Sequence, residues 1–125
     1  MSSTLNVLII DGYPKQARAD LETAGMTLAW KLYVMMLRKT LPEATYNIWL
    51  PSDTADLPGD GLLDDNYHAI LWTGCNLTIY DDKDERVTRQ IELAKRAYEI
   101  GIPSFGTCWG LQMAAVAAGG NVKPN

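Results

Sequence analysis

The sequence predicts a doubly wound α/β fold, a mostly parallel sheet with helices on both faces. Two observations carry this. Short aliphatic and β-branched runs alternate with longer segments whose apolar residues recur every three or four positions, in the order β-α-β-β-α-β-α. The short runs are continuous rather than alternating, as strands covered on both faces are.

The first strand is Leu5-Asn6-Val7-Leu8-Ile9-Ile10, closed by the turn Asp11-Gly12-Tyr13-Pro14. From about Ala19 to Leu41 a single long helix is expected. Leu21, Ala24, Leu28, Leu32, Met35 and Met36 fall on helical steps, acidic Asp20 and Glu22 stand early, and Arg38 and Lys39 stand late, as the helix dipole favours. Pro42 ends it. Met26, Met35, Met36 and Trp30 share this spacing and are expected in the core. Tyr46 to Leu50 is the second strand, and Pro51 to Asp65, rich in Asp, Pro and Gly, is a long surface connection.

Ala69-Ile70-Leu71-Trp72 is the third strand, running into Thr73-Gly74-Cys75-Asn76. Asp82 with Glu85 makes a capping pair for a helix that presents Val87, Ile91, Ala94 and Tyr98 on one face and stops at Gly101. The acidic run Asp81-Asp82-Lys83-Asp84-Glu85 suits a solvated helix start better than a Mg²⁺ site. Ile102-Pro103-Ser104-Phe105 is the fourth strand, and a last helix continues through Leu111, Met113, Ala114, Val116 and Ala117 to Gly119-Gly120. The sheet is of flavodoxin-like type, whose sites form beyond the carboxyl ends of the strands. Asp11 to Tyr13, Thr73 to Asn76 and Gly106 to Gly110 should therefore gather along one edge.

With 125 residues, 47% apolar and 21% charged, the chain suits one domain or part of one. Its net charge of −4, with scattered basic residues, argues against a nucleic-acid partner. The run Leu5 to Ile10 is too short for a signal-peptide core or a membrane span, so a cytoplasmic protein without a membrane partner is expected. The two cysteines, Cys75 and Cys108, form no C-x-x-C pair, and neither metal nor cofactor is expected. A reactive thiol is a better reading of them than a stapling disulfide.

Gly106-Thr107-Cys108-Trp109-Gly110 has the spacing of a nucleophile elbow, with cysteine as nucleophile, between a predicted strand and a predicted helix. At such a strained turn, side chains two residues before and after the nucleophile would collide, so both places want glycine. The following helix start favours thiolate over thiol, and the Trp109 N–H can help hold an oxyanion. An ordinary buried cysteine is the bland alternative, and the strand-to-helix context weighs against it.

Extended to Gln112, the segment resembles the G-x-C-x-G-x-Q signature of class I, triad-type glutamine amidotransferases, with Tyr80-Asp81-Asp82 pointing to the branch found in GMP synthase. The resemblance implies glutamine hydrolysis, with Cys108 as nucleophile, Gln112 and Gly110 at the substrate, and Gly74 and Trp109 in the oxyanion hole. The family usually carries Gly-Gly-Pro in the earlier loop, so only Gly74 is carried over. It further implies a downstream His-x-Glu segment, which the sequence to Asn125 does not contain. The chain is therefore expected to be the N-terminal part of a truncated domain, and its ammonia to serve a synthase domain or subunit. Two other readings share the fold: a cysteine hydrolase of the DJ-1/PfpI type, against which Gln112 speaks, and a catalytically inactive regulatory or interaction module.

His68, the sole histidine, precedes the third strand and is expected at the amino edge of the sheet, about four residues at ~3.3 Å each away from the site edge. A structural or partly exposed residue is expected there. Cys75 is expected to be a passive loop thiol rather than a redox partner of Cys108, and Asp11 a turn-forming carboxylate rather than a catalytic one.

Overall fold

A computed structural model of the chain describes residues 5–54, 56, 67–75, 77, 79, 83–106 and 109–120. Its elements are β1 (Asn6–Ile10), α1 (Lys15–Thr23), α2 (Ala29–Thr40), β2 (Thr45–Trp49), β3 (Ala69–Trp72), α3 (Glu85–Ile100), β4 (Ser104–Gly106) and α4 (Trp109–Ala117). The strands form one all-parallel sheet in the order β2-β1-β3-β4, the flavodoxin-like arrangement. β1 is central and explains the doubly wound form. Its odd residues, Val7 and Ile9, pack with Val34 and Leu37 of α2. Leu8 and Ile10, pointing the other way, join Ile70 and Trp72 and the inner faces of α3 and α4.

The single long helix expected between Ala19 and Leu41 is two helices. Gly25, at φ +78°, closes α1 in a Schellman motif: its N–H reaches Glu22 O at 3.0 Å, and the Met26 N–H reaches Leu21 O at 2.9 Å. The break resets the helical phase. Val34 and Leu37, rather than the expected methionines, become the buried stripe of α2. Met26, Met35 and Met36 are exposed, at 58%, 56% and 42%, and Trp30 is only half-buried, so these are not core residues.

The inner face of α3 also differs from expectation. Val87, Gln90, Leu93, Ala94 and Ala97 are buried, whereas Ile91 is half-buried and Tyr98 is exposed. Its N-cap is Asp84, whose carboxylate accepts the Arg86 N–H at 3.0 Å and two guanidinium N–H groups of the same residue at 2.9 and 2.7 Å. The expected pair used Asp82, which lies outside the described residues, as do Asp81 and most of the connection after Thr54. The Arg86 guanidinium holds the Asp84 carboxyl below its ordinary pKa. Gly101 ends α3 at φ +79° in the left-handed region, as the sequence predicts.

Candidate active site

The strand order reverses between β1 and β3: one connection leaves β1 toward β2, the other leaves β3 toward β4. This switch point is where parallel α/β sheets open a crevice at their carboxyl ends. The loops after β1 and β3 meet there. The Thr73 N–H donates to Ile10 O at 2.9 Å, and the Cys75 thiol donates to Gly12 O at 3.1 Å. Ser52 Oγ donates to the same Gly12 carbonyl at 3.0 Å, bringing in the loop after β2.

Asp11 is fully buried at the end of β1 and ties three elements together. It accepts the Tyr13 N–H at 3.0 Å, the Trp30 N–H at the start of α2 at 3.4 Å, and lies 3.5 Å from the Thr73 hydroxyl. Burial raises its carboxyl above the ordinary value, opposed by these N–H groups, the Arg18 charge and the Thr73 hydroxyl. Its bond to Tyr13 N–H is the turn-forming role expected from sequence.

Of the expected elbow, Thr107 and Cys108 lie outside the described residues; the structure describes the glycines on either side. A Cβ placed on Gly106 would stand 2.8 Å from Gly110 Cα and 2.9 Å from Trp72 Cβ, and one on Gly110 would stand 3.0 Å from Trp72 Cβ. The two glycines thus let α4 start directly against β3 and β4. Trp109 opens α4 fully buried, and Gln112 is half-buried in its first turn. Gly74 follows β3 under the Tyr13 ring, whose hydroxyl would stand 3.3 Å from a Cβ at that position.

Gln90 is a polar residue on the inner face of α3 that apolar periodicity does not mark. Fully buried on α3, its Oε1 accepts the Trp109 indole N–H at 2.9 Å, and its Nε2 donates to Arg86 O at 2.8 Å. A Cβ on Gly12 would lie 2.9 Å from Gln90 Oε1 and 3.2 Å from Cys75 Sγ, so the β1 loop is wedged between α3 and the β3 loop. The structure thereby brings the Gly74–Cys75 loop, Gly12 and Trp109 into one packed unit. A polar residue three positions after Val87, on a stripe otherwise apolar, was the available signal.

His68 stands apart from this edge. It precedes β3 at the amino end of the sheet, where its Nδ1 accepts the Asn6 N–H at 3.0 Å and its own N–H donates to Asn6 O at 2.8 Å. Among the described residues no group of three or more His, Cys, Asp or Glu could hold a metal ion, and no helix is long and apolar enough to cross a membrane.

At the outer edge of the sheet, β4 leaves Phe105 57% exposed beside an apolar groove of about 510 Å³. Trp72, Tyr98, Phe105, Gly110 and Leu111 line it.

A parallel sheet with a switch point between β1 and β3, and a β4-to-α4 connection flanked by closely packed glycines, defines a flavodoxin-like α/β protein. The chain belongs to the class I glutamine amidotransferase family, whose profile, described as Glutamine amidotransferase class-I, matches residues 44–125. It is 36% identical over 121 residues to the gamma-glutamyl-L-1-hydroxyisopropylamide hydrolase of Pseudomonas sp, covering 97% of this chain and 40% of that protein. To the glutamine-hydrolyzing GMP synthase of Streptomyces avermitilis it is 31% identical over 91 residues, covering 72% of this chain and 16% of the synthase. The corresponding enzyme of Clostridium kluyveri matches at 31% over 64 residues, 51% of this chain and 11% of its own. The chain therefore spans less than half the length of these relatives. No solved structure matches it significantly.

Proposed function

We propose that this chain carries the nucleophile-bearing part of a glutamine-hydrolysing domain. The observation that carries the reading is the contact of Gly106 with Gly110 over Trp72, because that close approach is the steric requirement of a strand–nucleophile–helix elbow. The Cys108 thiolate attacks the side-chain amide carbon of glutamine, and the oxyanion that forms accepts the N–H groups of Trp109 and Gly74. The C–N bond then breaks as the leaving nitrogen takes a proton and departs as ammonia. Water cleaves the γ-glutamyl thioester, returning glutamate and the thiol. Gln112 and Gly110 contact the substrate. A cytoplasmic setting and delivery of ammonia to a synthase domain or subunit complete the reading.

The chemistry needs a general base and acid, and His68 is at the wrong edge of the sheet to supply it. We assign that role to a histidine with an acidic partner, on a further segment of the same domain. The support is the exposed β4 edge with its apolar groove, where a following parallel strand would pair, and the greater length of the relatives. A second reading is favoured by the 36% identity to a hydrolase over nearly the whole chain: the substrate is an N-substituted γ-glutamyl amide, and an amine leaves in place of ammonia.

The test is intact mass and peptide mapping of the full-length protein after treatment with the glutamine mimic 6-diazo-5-oxonorleucine. A single adduct on Cys108 is expected. Failure to label while iodoacetamide still alkylates Cys108 would overturn the reading. Comparing amine release from glutamine and from γ-glutamyl isopropylamide decides between the two substrates.

A further inference from the structure

We infer that Gln90 is a positioning residue for this chemistry, a buried carboxamide on α3 that fixes the Trp109 end of the elbow against Gly12 and the Gly74–Cys75 loop. The inference rests on the proposed reading of Cys108 and Trp109. Placing a primary amide among Val87, Leu93, Ala94 and Ala97 is costly unless its donor and acceptor both find partners. Both do. The Nε2 group is committed to Arg86 O within its own helix, which leaves Oε1 facing α4 and the indole N–H of Trp109. The opposite orientation would set the amide NH₂ against the indole N–H, so the bond has one direction.

Trp109 follows the proposed nucleophile directly, and its backbone N–H is the proposed oxyanion donor. A residue at the first position of a helix has no intrahelical partner for that N–H, so its direction follows from how the residue is held. Here the ring is held from the side chain outward, through a fully buried 2.9 Å bond to a rigid helix. A Cβ at Gly12 would fall 2.9 Å from the same oxygen, so that position leaves no room for a side chain beside the contact. A methionine at position 90 would fill nearly the same volume without the acceptor. The packing would persist, but the indole N–H would lie buried without its partner.

The experiment compares full-length wild type, Gln90→Met, Trp109→Phe and the double variant in glutamine hydrolysis, with Cys108 labelling by 6-diazo-5-oxonorleucine alongside. Each single change should lower kcat about tenfold or more and leave KM within about threefold, since an oxyanion donor acts on the transition state rather than on binding. The double variant should fall little further than the worse single one, because both changes remove the same bond. If Gln90→Met fails to fold, Trp109→Phe reports on that bond from the other side. An unchanged kcat in either single variant, or losses that multiply in the double, would overturn the assignment while leaving Cys108 as nucleophile. A wild type that neither hydrolyses glutamine nor labels at Cys108 would overturn both readings.

Discussion

Gly106→Ala probes the close approach of Gly106 to Gly110 and Trp72 at the proposed elbow. The new methyl carbon would stand 2.8 Å from Gly110 Cα and 2.9 Å from Trp72 Cβ, against 3.4 Å where ordinary contact begins. Neither neighbour is the free end of a flexible chain, for one is helix backbone and the other roots a fully buried ring. The start of α4 must therefore move away from β4 by about 0.6 Å, a forced overpacking that costs about 1–3 kcal/mol. The displaced element carries Trp109, and misplacing a reacting geometry by this order can cost up to about 100-fold in kcat. Urea unfolding and glutamine turnover of the full-length protein measure the two effects. Gly101→Ala is the control: nothing lies within 4 Å of its Cβ, but φ is +79°, so strain of about 1–2 kcal/mol should appear without loss of kcat. A Gly106→Ala protein with wild-type stability and turnover would refute the close-approach argument.

Asp84→Ala should cost about 1 kcal/mol by removing the N-cap of α3. Because Arg86 lowers the folded-state pKa of Asp84, its stabilisation is present above the ordinary carboxylate pKa and is lost as pH falls through the lowered value. The gap between wild type and variant in urea unfolding should close on acidification. Asp11 has the opposite sign: burial raises its folded-state pKa, so its contribution to stability declines as pH rises from the ordinary carboxylate value through the raised one. The stability of Asp11→Asn relative to wild type should rise with pH over that window, and a flat difference in thermal unfolding would contradict the buried-charge account. His68→Gln should leave glutamine turnover intact, and lost activity in a folded variant would move the catalytic base to the amino edge.

What could be read from the sequence divides by the range of the interaction. Strands β1 and β3 were legible because a strand covered on both faces must be aliphatic throughout, and Leu5–Ile10 and Ala69–Trp72 are nearly so. The Gly106–Gly110 spacing was legible as a motif, but its packing reason is only partly local: Gly106 meets Gly110 four residues on, whereas Trp72, which also crowds Gly106 and alone crowds Gly110, comes from β3. The α1–α2 break was missed because apolar residues keep helical spacing across Gly25, while the Schellman hydrogen bonds that stop α1 leave no periodic trace. One glycine reset the phase, and the methionines went to the surface instead of the core.

The supporting shell of the site was hidden by the same logic. Asp11 and Thr73 are 62 residues apart, and Gln90 and Trp109 are 19 apart on different elements, so only the sheet order brings them together. Reading α3 for apolar residues skips Gln90 because it is polar, yet a polar side chain on an inward stripe is tolerated only with partners already in place. Val87, Gln90, Leu93, Ala94 and Ala97 form one stripe in which a single amide interrupts four apolar residues. Such an interruption marks where a fold exchanges packing for orientation. In this chain it falls beside the first residue after the proposed nucleophile, where orientation has chemical consequence.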